Sequence, residues 1–173
     1  MSRNGSKRKE LSFPGSESAA ALGRAPGRPR LVYARDDSMG GKSTPFRSAR
    51  ILIVEDDYLV ASQMEAALSE AGFEPLPPVM SAEEGIELAG NSGAALAVID
   101  ISLGGRLDGI DGAVELFKAH GIRCVFATAY TDVSLRERAK AARPLGWLQK
   151  PYTMHSLVEI VRDALTRLRD KPE

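Results

Sequence analysis

Residues 51–61, ILIVEDDYLVA, hold the reading that decides the fold. Four apolar residues run straight into three acids, Glu55, Asp56 and Asp57, and a helical pattern begins at once. A short apolar run bounded by a turn reads as a buried strand, and Asp57 is placed to cap the following helix. Carboxylates a few ångströms apart resist joint ionisation, so this strand end needs something to offset the repulsion. A metal cation, a basic side chain from elsewhere and solvation at a surface turn are the three candidates.

Working outward, strand followed by helix repeats five times. Leu59, Val60, Met64, Ala67 and Leu68 fall at helical spacing, with Gly72 as the stop. FEPLPPVM (73–80) predicts a weak edge strand, because its prolines cannot donate to a ladder. Ser81 with Glu84 three residues on forms a capping-box pattern that opens the second helix. AALAVID (94–100) is a second buried strand, this time ending at Asp100. GAVELFKAHG (112–121) predicts a helix, RCVFATAY (123–130) a strand, and TDVSLRERAKAA (131–142) a helix capped by Thr131 or Asp132. GWLQ (146–149) is a short strand, and MHSLVEIVRDALTRLR (154–169) is a long last helix.

Short apolar strands alternating with amphipathic helices predict an α/β fold, a doubly wound five-stranded parallel sheet covered on both faces. In open sheets of this kind the site lies at the carboxyl ends of the strands. Those ends carry Glu55, Asp56, Asp100, Thr128 and Lys150, so three carboxylates, a hydroxyl and an ammonium converge on one rim. Such an oxygen-rich set suits a small hard cation such as Mg²⁺. A divalent ion among the acids is therefore the expected answer to their repulsion.

VEDD (54–57), VID (98–100), ATAY (127–130) and QKPY (149–152) together resemble the signature set of the response-regulator receiver domain. They stand in the family's order, each at the end of a predicted strand, and the resemblance covers residues 50–169. It implies a flavodoxin-like (βα)5 fold with Asp100 as phosphoacceptor. It implies Mg²⁺ held by Glu55, Asp56, Asp100 and the backbone carbonyl of Ser102. Thr128 matches the hydroxyl that turns onto the phosphoryl group, Lys150 the lysine that pairs with it, and Trp147 the switch aromatic. Pro151 stands where the family commonly has a cis peptide bond, and Ala129 leaves room beside Thr128. The implied donor is a histidine kinase or a histidine phosphotransfer protein. Signalling would run through the face of helix four, strand five and helix five to an unknown downstream protein, with a phosphorylation-dependent homodimer as a further partner. Self-dephosphorylation is slow chemistry, so a phosphoacceptor rather than an enzyme is expected. Gly104, in the run SLGGRLDGIDG, departs from the family's usual proline, and that loop reads as slightly long. Asp108 and Asp111 there read as part of a solvated, turn-rich surface loop.

The formal charge of zero over 173 residues hides a split. Residues 1–50 carry 11 Lys/Arg and 4 Asp/Glu, hence +7, whereas residues 51–173 carry 12 and 19, hence −7. Residues 1–49, rich in Gly, Ser, Pro and Arg, predict a disordered basic extension, in which only LVYA (31–34) could form an isolated short strand. GGKST (40–44) lacks the first glycine of a phosphate loop, because Asp36 stands in its place. Residues 170–173 read as a tail, and neither terminus predicts a DNA-binding domain. The one cysteine, Cys124, lies in an apolar run and reads as core, consistent with a cytoplasmic protein. His120 and His155 read as surface residues, and Arg136, Arg138, Lys140 and Arg143 as a solvated face.

Two other function classes compete with the response regulator. A Mg²⁺-dependent phosphohydrolase of similar architecture usually needs a second acid two residues after its nucleophile, and Ser102 stands there. An adaptor would use its basic extension on nucleic acid or an anionic membrane, and would bind in a salt-sensitive manner.

Overall fold

The computed structural model describes residues 48–129 and 132–170. The chain alternates β1 (Arg50–Val54), α1 (Tyr58–Glu70), β2 (Glu74–Pro75), α2 (Ala82–Ser92), β3 (Leu96–Asp100), α3 (Gly109–His120), β4 (Cys124–Thr128), α4 (Val133–Ala139), β5 (Gly146–Gln149) and α5 (Met154–Asp170). All strand pairs are parallel, in the order β2-β1-β3-β4-β5. The order reverses between β1 and β3, where Val54, the last residue of β1, pairs with Ile99, one residue before the end of β3. That reversal opens a crevice at the carboxyl ends of the sheet.

Alternation within each strand builds two cores. Ile51 and Ile53 of β1, with Leu96 and Val98 of β3, pack on Met64 and Leu68 of α1 and on Leu157, Val161 and Leu165 of α5. Leu52, Val54, Ala97 and Ile99 face the other way, onto α2 and α3 through Ala82, Ala89, Ile110, Ala113 and Leu116. Because both faces are covered, every residue of β3 and β4 is buried, which is why these segments are continuously apolar until the last residue.

Several boundaries differ from expectation for local reasons. The strand expected over 73–80 shrinks to two residues plus a bridge from Val79 to Val54, because Pro75, Pro77 and Pro78 supply no ladder donors. Helix α1 buries Ala61, Met64 and Leu68, whereas Leu59, expected in the packed stripe, is 70% exposed. Helix α3 starts at Gly109 instead of 112, because Asp108 accepts from Ile110 N and Asp111 N as an N-cap. Ser48 and Ala49 belong to the fold: Ser48 N donates to Gly72 O and Ala49 is buried. Asp170 closes α5 and is not part of a tail. Asp132 caps α4, which ends at Ala139 and passes into a 3-10 turn, Lys140–Ala142. Expectations for residues 1–47, 171–173 and Thr131, including the disordered extension, LVYA and GGKST, lie outside the described residues.

Candidate functional site

Each strand delivers its last residue, or the next one, to the same rim. Asp100 ends β3 and Thr128 ends β4, both buried; Glu55 follows β1 and is 1% exposed, while Asp56 beside it is exposed. Lys150 follows β5, and its Nζ donates to Asp100 Oδ2 at 2.7 Å and to Glu55 Oε2 at 3.0 Å. The chain therefore brings Glu55, Asp100 and Lys150 into direct contact, although the lysine lies 95 and 50 residues away from its partners in sequence. Lys150–Pro151 is a cis peptide, as expected.

Of the three ways to offset the acid cluster, a basic side chain is thus present, and the exposed Asp56 is solvated. Burial pushes the Glu55 carboxyl above the usual value; the Lys150 hydrogen bond opposes that shift, and the Asp100 charge adds to it. Partial burial opposes the charge on Lys150, yet its hydrogen bonds to Asp100 and Glu55 win and push its ammonium well above the ordinary lysine value. It stays protonated at neutral pH. Tyr152, half-buried nearby, is raised by burial and by the Glu55 charge, and its hydroxyl donates to Met64 Sδ at 3.6 Å.

One oxygen from each of Glu55, Asp56 and Asp100 lies within 4.8 Å of the others. Three hard oxygen donors this close together fit a Mg²⁺ ion that keeps several waters. Backbone donors shape the same acids. Ser102 N donates to Asp100 Oδ1 at 3.0 Å, and Gly104 N to Asp56 Oδ2 at 3.1 Å. Gly104, noted as a departure in sequence, is thereby tied to the acid pair. Gly109 is where α3 touches β3: a Cβ there would stand 1.9 Å from the Asp100 carbonyl oxygen.

Trp147 sits in the middle of β5, partly buried, with its ring centroid 5.0 Å from that of Phe126 and the Arg136 guanidinium 4.8 Å above it. Ala129 is exposed beside Thr128. Cys124 is buried core, and burial raises its thiol pKa. In sequence, Arg138 reads as part of a solvated face and Asp108 as part of a solvated loop. Arg138 is no free solvated residue: it donates to Asp108 Oδ2 at 2.8 Å and to Asp111 Oδ1 at 3.1 Å, linking α4 to the start of α3. The opposite charges 30 and 27 residues apart carry no local pattern that marks them as partners.

The response regulator receiver domain family profile matches residues 51–162. The transcriptional regulatory protein PdtaR of Mycobacterium tuberculosis is 31% identical over 121 residues, covering 70% of this chain and 58% of that protein. The phyllosphere-induced regulator PhyR of Methylorubrum extorquens is 25% identical over 130 residues, covering 75% of this chain and 48% of its own length. The chain thus spans about half to three fifths of these curated relatives. Among solved structures, the signal receiver domain of a modulated diguanylate cyclase from Desulfovibrio desulfuricans aligns with a TM-score of 0.65 at 30% identity, over 70% of this chain and 97% of that one. Two thirds of the chain carry the match, the sheet is the five-stranded parallel one expected, and the acids and lysine meet at its rim. The chain belongs to the response regulator receiver domain family.

Proposed function

We propose that Asp100 accepts a phosphoryl group from a phosphohistidine on a histidine kinase or a histidine phosphotransfer protein. The observation that carries this reading is the Asp100 carboxylate itself, buried at a strand end with Lys150 at 2.7 Å and two further carboxylates beside it. An Asp100 oxygen attacks phosphorus, the P–N bond breaks, and the imidazole leaves with its electron pair and takes up a proton. Phosphoryl transfer of this kind depends on positioning and on charge stabilisation. Ser102 N–H orients the nucleophile. Lys150 holds a fixed positive charge against the oxygens of the incoming group. Thr128, at the end of the neighbouring strand, supplies a hydroxyl to the product. Glu55, Asp56, Asp100 and the Ser102 carbonyl are the groups that would hold Mg²⁺, which supplies charge neutralisation on phosphoryl oxygens when bound.

The product adds about −1.5 to −2 charge and new acceptor oxygens at the rim. Trp147 and Arg136 tie β5 to α4, so the face of α4, β5 and α5 is the surface through which that charge would be read by a partner protein. A cytoplasmic location fits a kinase-fed acceptor, and among the described residues no helix is long and apolar enough to cross a membrane.

The test is phosphotransfer from purified, autophosphorylated histidine kinases of the source organism. Rapid loss of label from one kinase with gain on this chain, absent in Asp100→Asn, is expected. Failure of every kinase and of acetyl phosphate to label the wild type contradicts the reading.

A further inference from the structure

The loop between β3 and α3 is held by three carboxylates, from β3, from the turn after β1 and from α2. Ser102 N donates to Asp100, Gly104 N to Asp56, and Leu107 N to Glu83 Oε1 at 3.1 Å. The first two acceptors belong to the site already described. Glu83 does not: it lies in the first turn of α2, 24 residues before Leu107, and reaches across to the loop. We propose that Glu83 is a positioning residue for the cation site, fixing through Leu107 the loop that carries Gly104 N–H and the Ser102 carbonyl. The inference rests on the reading of the rim as a Mg²⁺-dependent phosphoacceptor.

Two observations set Glu83 apart from an ordinary acid at a helix start. Such an acid is favourable there when solvated, through the helix dipole. Glu83 instead has one carboxylate oxygen, Oε2, buried without a hydrogen-bond partner, which opposes folding. The loop backbone also closes around that carboxylate. Gly105 adopts φ +141°, a conformation that L side chains rarely adopt, and a Cβ there would come within 3.5 Å of Glu83 Oε2. Arg106 approaches Oε1 at 3.7 Å but is 85% exposed, so it adds little hold. The far end of the loop is fixed separately, by Asp108 capping α3. Between Ile101 and Asp108 the chain lies outside β3 and α3, so these side-chain contacts limit its freedom.

Groups that hydrogen-bond metal ligands typically change affinity by about 10- to 100-fold when removed, and Glu83 acts one step further out, through the loop, so the low end of that range applies. Glu83→Ala is therefore expected to weaken Mg²⁺ binding about 10-fold by calorimetry. Glu83→Gln, which keeps an acceptor for Leu107 N–H, should stay within about twofold of wild type, since the acceptor and not the charge makes the contact. In chelator, the amides of Ser102, Gly104 and Leu107 should exchange faster in Glu83→Ala than in Glu83→Gln. Asp56→Asn serves as the parallel ligand variant. If Asp56→Asn loses Mg²⁺ while Glu83→Ala binds as wild type does, the positioning role is overturned and the phosphoacceptor reading stands. If both Glu83 variants lose stability equally and keep Mg²⁺ affinity, Glu83 is structural only. If the wild type takes up no Mg²⁺, both readings fall together.

Discussion

Lys150 Nζ sits 2.7 Å from Asp100 Oδ2 and also holds Glu55, so one ammonium balances two buried carboxylates. Removing it leaves both acids without that counter-charge. Lys150→Ala in chelator is expected to cost about 2–3 kcal/mol at pH 7, below the usual figure for a broken buried pair because the lysine is partly exposed. Urea unfolding reads this directly. The folded value of Lys150 is raised, so its contribution is fully present below the unfolded value of 10.5 and is lost only as pH rises through the folded one. An unchanged midpoint at pH 7 would show that the ammonium does not balance the cluster.

The cap of α3 predicts a different pH response. Burial opposes ionisation of Asp108, but backbone N–H of Asp111 and the Arg138 guanidinium outweigh it and hold the carboxyl below its usual value. Asp108→Ala should cost about 1 kcal/mol at neutral pH as a lost N-cap, whereas Asp108→Asn keeps a capping oxygen and loses the charge pair only. The charge-dependent part is present above the unfolded value of 3.8 and disappears as pH falls through the lower folded one. A gap between the wild type and Asp108→Asn that persists in strong acid would exclude this origin.

Gly109→Ala places a methyl group on the Asp100 carbonyl oxygen, with backbone and not a flexible side chain in the way. Either β3 or the start of α3 must shift, at a cost of about 3 kcal/mol or more. Circular dichroism melts should show a lower Tm. Where folded protein survives, labelling by acetyl phosphate should slow, because the displaced atoms belong to the acceptor residue itself. Wild-type melting and labelling would refute the close contact.

Trp147 reports on α4 through Arg136. Arg136→Ala removes the cation above the indole and should shift its emission without any ligand. Beryllium fluoride with Mg²⁺, a stand-in for the phosphoryl group, should also shift the emission in the wild type and leave it unchanged in Asp100→Asn. Unaltered emission with demonstrated binding would mean that the signal leaves the domain by another route.

β1, β3 and β4 and the residues at their ends were legible because burial on both faces keeps each strand apolar up to the residue that meets the rim, whereas the edge strand β5, GWLQ, is only partly buried. ILIV into Glu55 and LAVID at Asp100 are the clearest cases. What stayed hidden depended on distance or on ambiguous register. Leu59, Val60 and Ala61 are all apolar, and only packing against the sheet selects Ala61 for burial. Asp108 read as loop because its role needs the helix that it caps. Glu83 and Arg138 meet partners 24 or more residues away, and no local period announces such contacts.

Chemical trapping reads the position of the phosphoryl group most directly. After treatment with acetyl phosphate and Mg²⁺, borohydride reduction converts an aspartyl phosphate to homoserine, which peptide sequencing by mass spectrometry locates. Homoserine at position 100 alone, formed only with Mg²⁺ and absent when mild alkali precedes the borohydride, is the predicted result. Homoserine at position 56 or 57 with Asp100 intact, or label that survives alkali, would contradict the assignment of Asp100 as the acceptor.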